Sequence, residues 1–200
     1  MENFLVEPPT NYRPAGLLEY MLIVSPDGEI YNKVVEEKEF FSKKYNQKIA
    51  SKTMPHISVS NFLAWDTMEG SLIQRLQNIV KNQQSFNVTL NNYSGFPSHT
   101  IFTRVQDAVP FNELTDRLKV IAPFIKAWSL RSANFTRHPH LTIARKLPLT
   151  VYTKAIQYYS EKDFYASFNV TKLVLLKRQN EFDKCKQVAM LYLQPNEYNN

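Results

Sequence analysis

Residues 55–60 read P-H-I-S-V-S, and residues 139–144 read P-H-L-T-I-A. Each stretch is proline, histidine, aliphatic, hydroxyl, aliphatic, small. In an extended strand successive side chains point to opposite faces. His56 and Ser58 therefore share one face, and Ile57 and Val59 share the other. His140 and Thr142 part from Leu141 and Ile143 in the same way. Each stretch aims an imidazole and a hydroxyl at one place and turns aliphatic residues toward a core.

The surroundings repeat as well. In the first half Glu19–Val24 predicts a buried strand. From Tyr31 to Tyr45, apolar positions 31, 34, 35, 41 and 45 fall on one helical face. Met54–Ser60 is the second strand. Asp66, with Glu69 three residues on, has the form of a capping box and opens a helix whose face is Met68, Leu72, Leu76 and Ile79. Phe86–Leu90 is a third strand, and Asn91–Ser98 a loop.

In the second half Thr100–Val105 is a strand. Phe111, Leu114, Leu118, Ile121 and Ile125 have helical spacing, with Pro123 ending or kinking that helix near Ala122. Pro139–Arg145 is a strand, and Thr150 caps a helix carrying Val151, Ala155 and Tyr158. Ser167–Leu176 and Gln187–Leu193 close the chain. Ten residues separate His56 from Asp66, and ten separate His140 from Thr150. Each half thus runs strand, helix, strand, helix, strand, an internal duplication. The expected layout is an extended lead-in over 1–18, holding Pro8, Pro9 and Pro14, one bilobal domain over 19–193 with halves 19–98 and 99–193, and a polar tail over 194–200. Related by a pseudo-twofold, the two motifs would face each other across a groove.

Composition narrows the chemistry. The 200 residues are 44% hydrophobic and 21% charged, ordinary globular usage, with 24 Lys plus Arg against 18 Asp plus Glu. A net charge of +6 suits an anionic partner such as RNA or a nucleotide, and also serves solubility. The four glycines, Gly16, Gly28, Gly70 and Gly95, lie too far apart for a P-loop or a G-x-G-x-x-G fingerprint. The single Cys185 excludes an internal disulfide and a multi-cysteine zinc site. The opening M-E-N-F-L-V-E-P-P-T has no basic n-region, and apolar runs such as Val188–Leu193 are too short to cross a bilayer. The expectation is a soluble, cytoplasmic protein with no membrane contact.

Two imidazoles and two hydroxyls in one groove suit phosphodiester chemistry. A hydroxyl donates to an anionic oxygen without adding charge. Near neutral pH one histidine can act as base while another acts as acid. No metal is required. Two H-x-[S/T] motifs 84 residues apart in a duplicated α+β chain resemble the 2H phosphoesterase superfamily. H-L-T-I-A-R (140–145) looks especially like its LigT-like branch of 2′-5′ RNA ligases and cyclic phosphodiesterases. The likeness in layout spans roughly residues 17–193. It implies a bilobal fold with two antiparallel-rich sheets around a central cleft and helices outside. It implies metal-independent action, without cofactor, on 2′,3′-cyclic phosphates, 2′-5′ linkages or related cyclic nucleotides. By position, His56, Ser58, His140 and Thr142 match the family's catalytic quartet. Two positions depart from the pattern. Ser58 stands where many members have Thr, keeping the hydroxyl. Gln179 stands where LigT-type members tend to show a serine, which bears on the substrate.

Other residues are candidates for holding substrate. Tyr20, Phe96 and Trp128 are aromatic platforms for a base, set against ordinary core roles. Arg104 and Arg178 end strands from which a phosphate is within reach, with a solvated surface role as the equal alternative. Arg145 lies one residue past the same-face series 140, 142, 144, so a regular strand turns it away from the motif face. Contact with phosphate is its alternative. His138 reads as a residue at the mouth of the cleft, or merely one in a loop. His138 and His140 also form H-P-H, which opens a metal-dependent hydrolase reading, but zinc wants three or four ligands. His99 and the run Lys43-Lys44, Lys48, Lys52 read as surface. A module that binds RNA ends without turnover is the competing function. A monomer taking RNA ends or cyclic nucleotides is the expected working unit.

Overall fold

The computed structural model describes residues 14–129, 132–180 and 183–196. Pro8 and Pro9 of the lead-in lie outside the described residues. The elements in chain order are β1 (Leu17–Val24), α1 (Gly28–Tyr45), α2 (Lys48–Lys52), β2 (Ile57–Trp65), α3 (Glu69–Val80), β3 (Phe86–Phe96), β4 (Thr100–Val105), α4 (Val109–Leu118), α5 (Ala122–Lys126), β5 (Asn134–Phe135), β6 (His140–Ala144), α6 (Leu149–Ser160), β7 (Tyr165–Val170), β8 (Lys172–Arg178) and β9 (Lys186–Tyr192). This is a mixed α+β fold built on a curled antiparallel sheet. Its strand order is β7-β3-β4-β6-β2-β1-β8-β9, with β5 paired to β2.

The two sheets expected from the sequence are one sheet with a narrow waist. β2 and β6 meet at a single register pair, Ile57 with Leu141. The sheet's two halves are not the chain's two halves. β8 and β9, from late in the chain, join β1 and β2, while β3 from the first half joins β4, β6 and β7. The stretch 167–176, read as one strand, is two. Only Thr171 separates β7, at one end of the sheet order, from β8 near the other. One residue can span such ends only if the sheet curls until they meet. They do meet: Leu193 N–H donates to the Thr171 carbonyl at 2.9 Å, and Gln84 bridges Gln194.

Among the described residues, all six α-helices place side chains in one core on one face of the sheet. Val34 and Phe41 come from α1, Ala50 from α2, Leu72 and Leu76 from α3, Leu114 from α4, Ile125 from α5 and Ala155 from α6. They pack on Ile57, Val59, Leu141 and Ile143, the aliphatic positions of the two motifs. The alternation that buries those four leaves the histidines and hydroxyls on the open face.

Two helix starts differ from expectation. Asp66 opens a 3-10 turn over Asp66–Met68, and no side chain caps α3. Glu69 instead accepts hydrogen bonds from the Tyr20 hydroxyl at 2.9 Å and from Lys177 at 2.5 Å. Pro148, not Thr150, precedes α6. The helical run breaks near Ala122 as expected, into α4, a 3-10 turn over Lys119–Ile121 and α5, and Pro123 stands in the first turn of α5, where its missing N–H has no partner to lose. No helix among the described residues is long and apolar enough to cross a membrane.

Candidate active site

The register pair Ile57–Leu141 lies at the centre of the site. Continued one step either way, that antiparallel register would set His56 opposite Thr142 and Ser58 opposite His140. Directly opposed residues have Cβ atoms roughly 4.5–5.5 Å apart. At this pair the two motif segments stand side by side with their histidines and hydroxyls on the open face, and the His140 ring is near enough to His56 to weigh on its protonation. Ser58 is exposed; His56, His140 and Thr142 are half-buried.

The two motifs also match in how they hold their rings. His56 Nδ1 lies 2.8 Å from the Met54 carbonyl, and His140 Nδ1 lies 2.7 Å from the His138 carbonyl. A carbonyl only accepts, so each Nδ1 donates its hydrogen, and in the neutral ring Nε2 holds the lone pair. The residue between is proline both times, Pro55 and Pro139. Proline fixes its own φ and keeps the preceding residue extended, which sets that carbonyl two residues back.

A bulge follows each hydroxyl. Along β1, Ile23 pairs with Ser58 and Leu22 with Ser60, leaving Val59 extra. Along β4, Phe102 pairs with Thr142 and Ile101 with Ala144, leaving Ile143 extra. The extra residue inverts the alternation beyond it. Ala144 therefore joins buried Ile101 in the core, and the next residue, Arg145, returns to the open face. The regular-strand expectation for Arg145 is corrected by this bulge.

The environments of the two imidazoles differ. Burial holds both below the ordinary histidine range. At His56 the Met54 carbonyl opposes that effect, while the cations Lys38 and Arg145 and the ring of His140 push it lower. At His140 the opposing group is the His138 carbonyl, and the His138 ring adds to the lowering. His140 also has aromatic company: Phe96 at 4.9 Å in a T-shaped contact and Phe102 at 4.8 Å between ring centroids.

The remaining candidates divide. Phe96 stands at the site, though as a wall of the His140 pocket. Arg104 pairs in register with His140 on the same face, is exposed, and donates through Nε to the Asn91 carbonyl at 3.2 Å. His138 is exposed at the lip. Tyr20 is a correction: it is fully buried in the helix-side core and stacks on Phe62, so no base reaches it. Arg178 is largely committed elsewhere, its Nε donating to Glu19 at 2.8 Å with both side chains nearly buried. Trp128 is exposed but lines a shallow groove with Trp65 and Phe124. Trp65 is nine strand residues beyond His56, roughly 30 Å along β2. Among the described residues no group of three or more His, Cys, Asp or Glu is placed to hold a metal ion.

Two residues at the site were not singled out from sequence. Phe102 could have been found from its alternation with Arg104 on β4. Lys38 lies at i+4 from Val34 and i−3 from Phe41, inside the apolar stripe of α1. A lysine in that stripe was the signal.

The sequence pattern of the 2′-5′ RNA ligase superfamily matches residues 26–181. The chain belongs to that superfamily. Both motifs fall within the match. Among solved structures, Escherichia coli LigT complexed with 3′-AMP is similar, with a TM-score of 0.62 and 13% identity, over 88% of this chain and 98% of that one. A Thermus thermophilus protein has a TM-score of 0.57 at 13% identity, over 90% and 100%. Usb1 of Kluyveromyces marxianus has a TM-score of 0.52 at 11% identity, over 88% and 98%. At these identities the likeness is one of fold. No curated protein sequence matches the chain. The superfamily member described here thus keeps the fold with few residues in common with these relatives.

Proposed function

We propose that this superfamily member is a metal-independent phosphoesterase acting on 2′,3′-cyclic phosphate or 2′-5′ phosphodiester linkages of RNA or nucleotides. The observation that carries the reading is the quartet, with both Nδ1 atoms tied to backbone and both Nε2 atoms left for proton transfer. In hydrolysis of a cyclic phosphate, a water oxygen bonds to phosphorus while one ribose oxygen leaves. One Nε2 takes the proton from water, and the other ring gives its Nε2 proton to the leaving oxygen. Ser58 and Thr142 donate to the non-bridging oxygens, where charge grows. Arg145 and Arg104 add positive charge on the same face.

The unequal surroundings favour one division of labour. Cations beside His56 disfavour its protonation, which suits a base. The groups that shift His140 are its burial, the His138 carbonyl and the His138 ring, with no lysine or arginine among them, which suits it as the acid. The working unit is proposed as a monomer with RNA ends or cyclic nucleotides as substrate.

The test is hydrolysis of the four 2′,3′-cyclic nucleotides and a 2′-5′-linked dinucleotide in EDTA. Turnover should persist in chelator and fall on the order of 10²–10⁴ in His56→Ala or His140→Ala. Full activity in the double variant would overturn the reading. Tight RNA-end binding without turnover would leave the idle module in its place.

A further inference from the structure

Lys38 is a charged side chain that the proposed reaction does not use. It projects from α1 and is only 2% exposed. Its Nζ donates to the Thr53 hydroxyl at 2.9 Å and to the Thr142 carbonyl at 3.1 Å. No carboxylate among the described residues forms an ion pair with it. Burying an ammonium against neutral oxygens alone is unfavourable, and a methionine would fill the same volume without that cost.

The two contacts are not scattered. Thr53 stands three residues before His56, on the segment that leads into the first motif. Thr142 is the hydroxyl residue of the second. The sheet joins these segments at one pair only, Ile57 with Leu141. One step further, where His56 would oppose Thr142, the ladder stops, because β2 begins at Ile57. There the Thr142 carbonyl takes its hydrogen bond from the Lys38 ammonium.

We propose that Lys38 is a positioning residue, tying the two motif segments together from α1 and so fixing the gap between the two imidazoles. The proposal rests on the quartet being the active site. Burial, then Arg145, push the Lys38 pKa down to about 8, so at neutral pH the tie is still a cation. The charged groups facing His56 are Lys38 from α1, Arg145 from beyond the end of β6, and the His140 ring from β6.

The experiment uses Lys38→Met, Lys38→Arg and Thr53→Val in the full chain. The His56 and His140 rings are titrated by NMR without substrate, assigned with the two His→Ala variants. kcat and KM are then measured on a 2′,3′-cyclic nucleotide. In Lys38→Met, kcat should fall on the order of 10–100-fold, the loss expected of about 1 Å of misplacement. KM should stay within about twofold. The His56 titration should move up while that of His140 stays. Lys38→Arg should recover part of kcat and return His56 toward its original titration. Thr53→Val, which keeps the cation, should lower kcat less and serves if Lys38→Met does not fold. A folded Lys38→Met with unchanged kcat, or with an unmoved His56 titration, overturns the proposal. A wild-type chain without turnover on any substrate overturns the phosphoesterase reading instead, and the ring titrations still decide Lys38.

Discussion

At the scale of single residues, the buried ammonium of Lys38 sets a stability prediction of its own. Its fall from 10.5 to about 8 corresponds to about 3 kcal/mol against the charged form. Lys38→Met removes that term but leaves the Thr142 carbonyl and Thr53 hydroxyl without their donor, at about 1–3 kcal/mol each. The two effects oppose each other, so at pH 7 the variant should lie within about 3 kcal/mol of wild type in denaturant unfolding. The difference must then change with pH. Between about 8 and 10.5 the unfolded wild-type lysine binds a proton that the folded one has released, so wild-type stability rises with pH relative to Lys38→Met. A gap that stays constant across that window would mean Lys38 is not desolvated.

The histidines carry the matching prediction for rate. A base held below the usual histidine value stays neutral further into acid. The acid limb of kcat/KM should therefore lie below pH 6.5. Arg145→Gln removes one of the cations beside His56, so that limb should move up, and KM should rise severalfold through a lost phosphate contact. A limb that does not move would take Arg145 off the open face. The histidines and hydroxyls were legible because they repeat at matched spacing. Arg145 was misread because its direction depends on Ile143 being extra, and that is set by pairing with β4, not by local sequence. Lys38 was passed over because a charge on an apolar stripe reads as solvent until a neighbouring strand accepts it.

At the scale of elements, most strands and helices follow from period and length, and their ends do not. β3 runs to Phe96, where the sequence predicts a loop from Asn91. The extension carries Phe96 to His140 and brings Gly95 under α6. A Cβ at Gly95 would lie 2.7 Å from the Tyr152 hydroxyl and 3.0 Å from the Thr100 carbonyl, and the second is backbone that cannot swing away. Gly95→Ala should therefore lose about 1–3 kcal/mol in thermal or denaturant unfolding. It should also loosen the wall beside His140, lowering kcat more than an equally destabilising change in α3. Unchanged stability would show that both α6 and the β4 backbone at Thr100 can shift to make room. The capping box at Asp66 shows the opposite limit of local signals. Its glutamate was legible as a helix-start residue, but Lys177 and the Tyr20 hydroxyl, both distant in sequence, hold the carboxylate instead.

At the scale of the molecule, the repeat of the two motifs was legible and the mixing of early and late strands within each half of the sheet was not. Repeats show in spacing, whereas the partner of a strand is chosen by the whole sheet. That mixing leaves two seams that hold the halves of the sheet together. One is the waist at Ile57–Leu141, which carries the quartet. The other closes the curl, and it uses residues that the sequence predicts as tail. Ser85 N–H donates to the Gln194 carbonyl at 2.7 Å, Gln194 N–H to the Gln83 carbonyl at 2.8 Å, and Asn196 N–H to the Ser85 hydroxyl at 3.0 Å. Gln83 and Ser85 are buried, so removing their partners leaves polar groups with little water to replace them. A chain ending at Leu193 should lose about 2–4 kcal/mol relative to one ending at Asn196. For a domain of this size that lowers the melting temperature by roughly 5–15 °C. Turnover at 25 °C should persist, because the quartet sits on the other seam. Equal melting temperatures would mean that the curl is held by the core beneath the sheet and not by these bonds. Loss of turnover without loss of stability would mean that the two seams are coupled, and that closing the sheet sets the spacing at its waist.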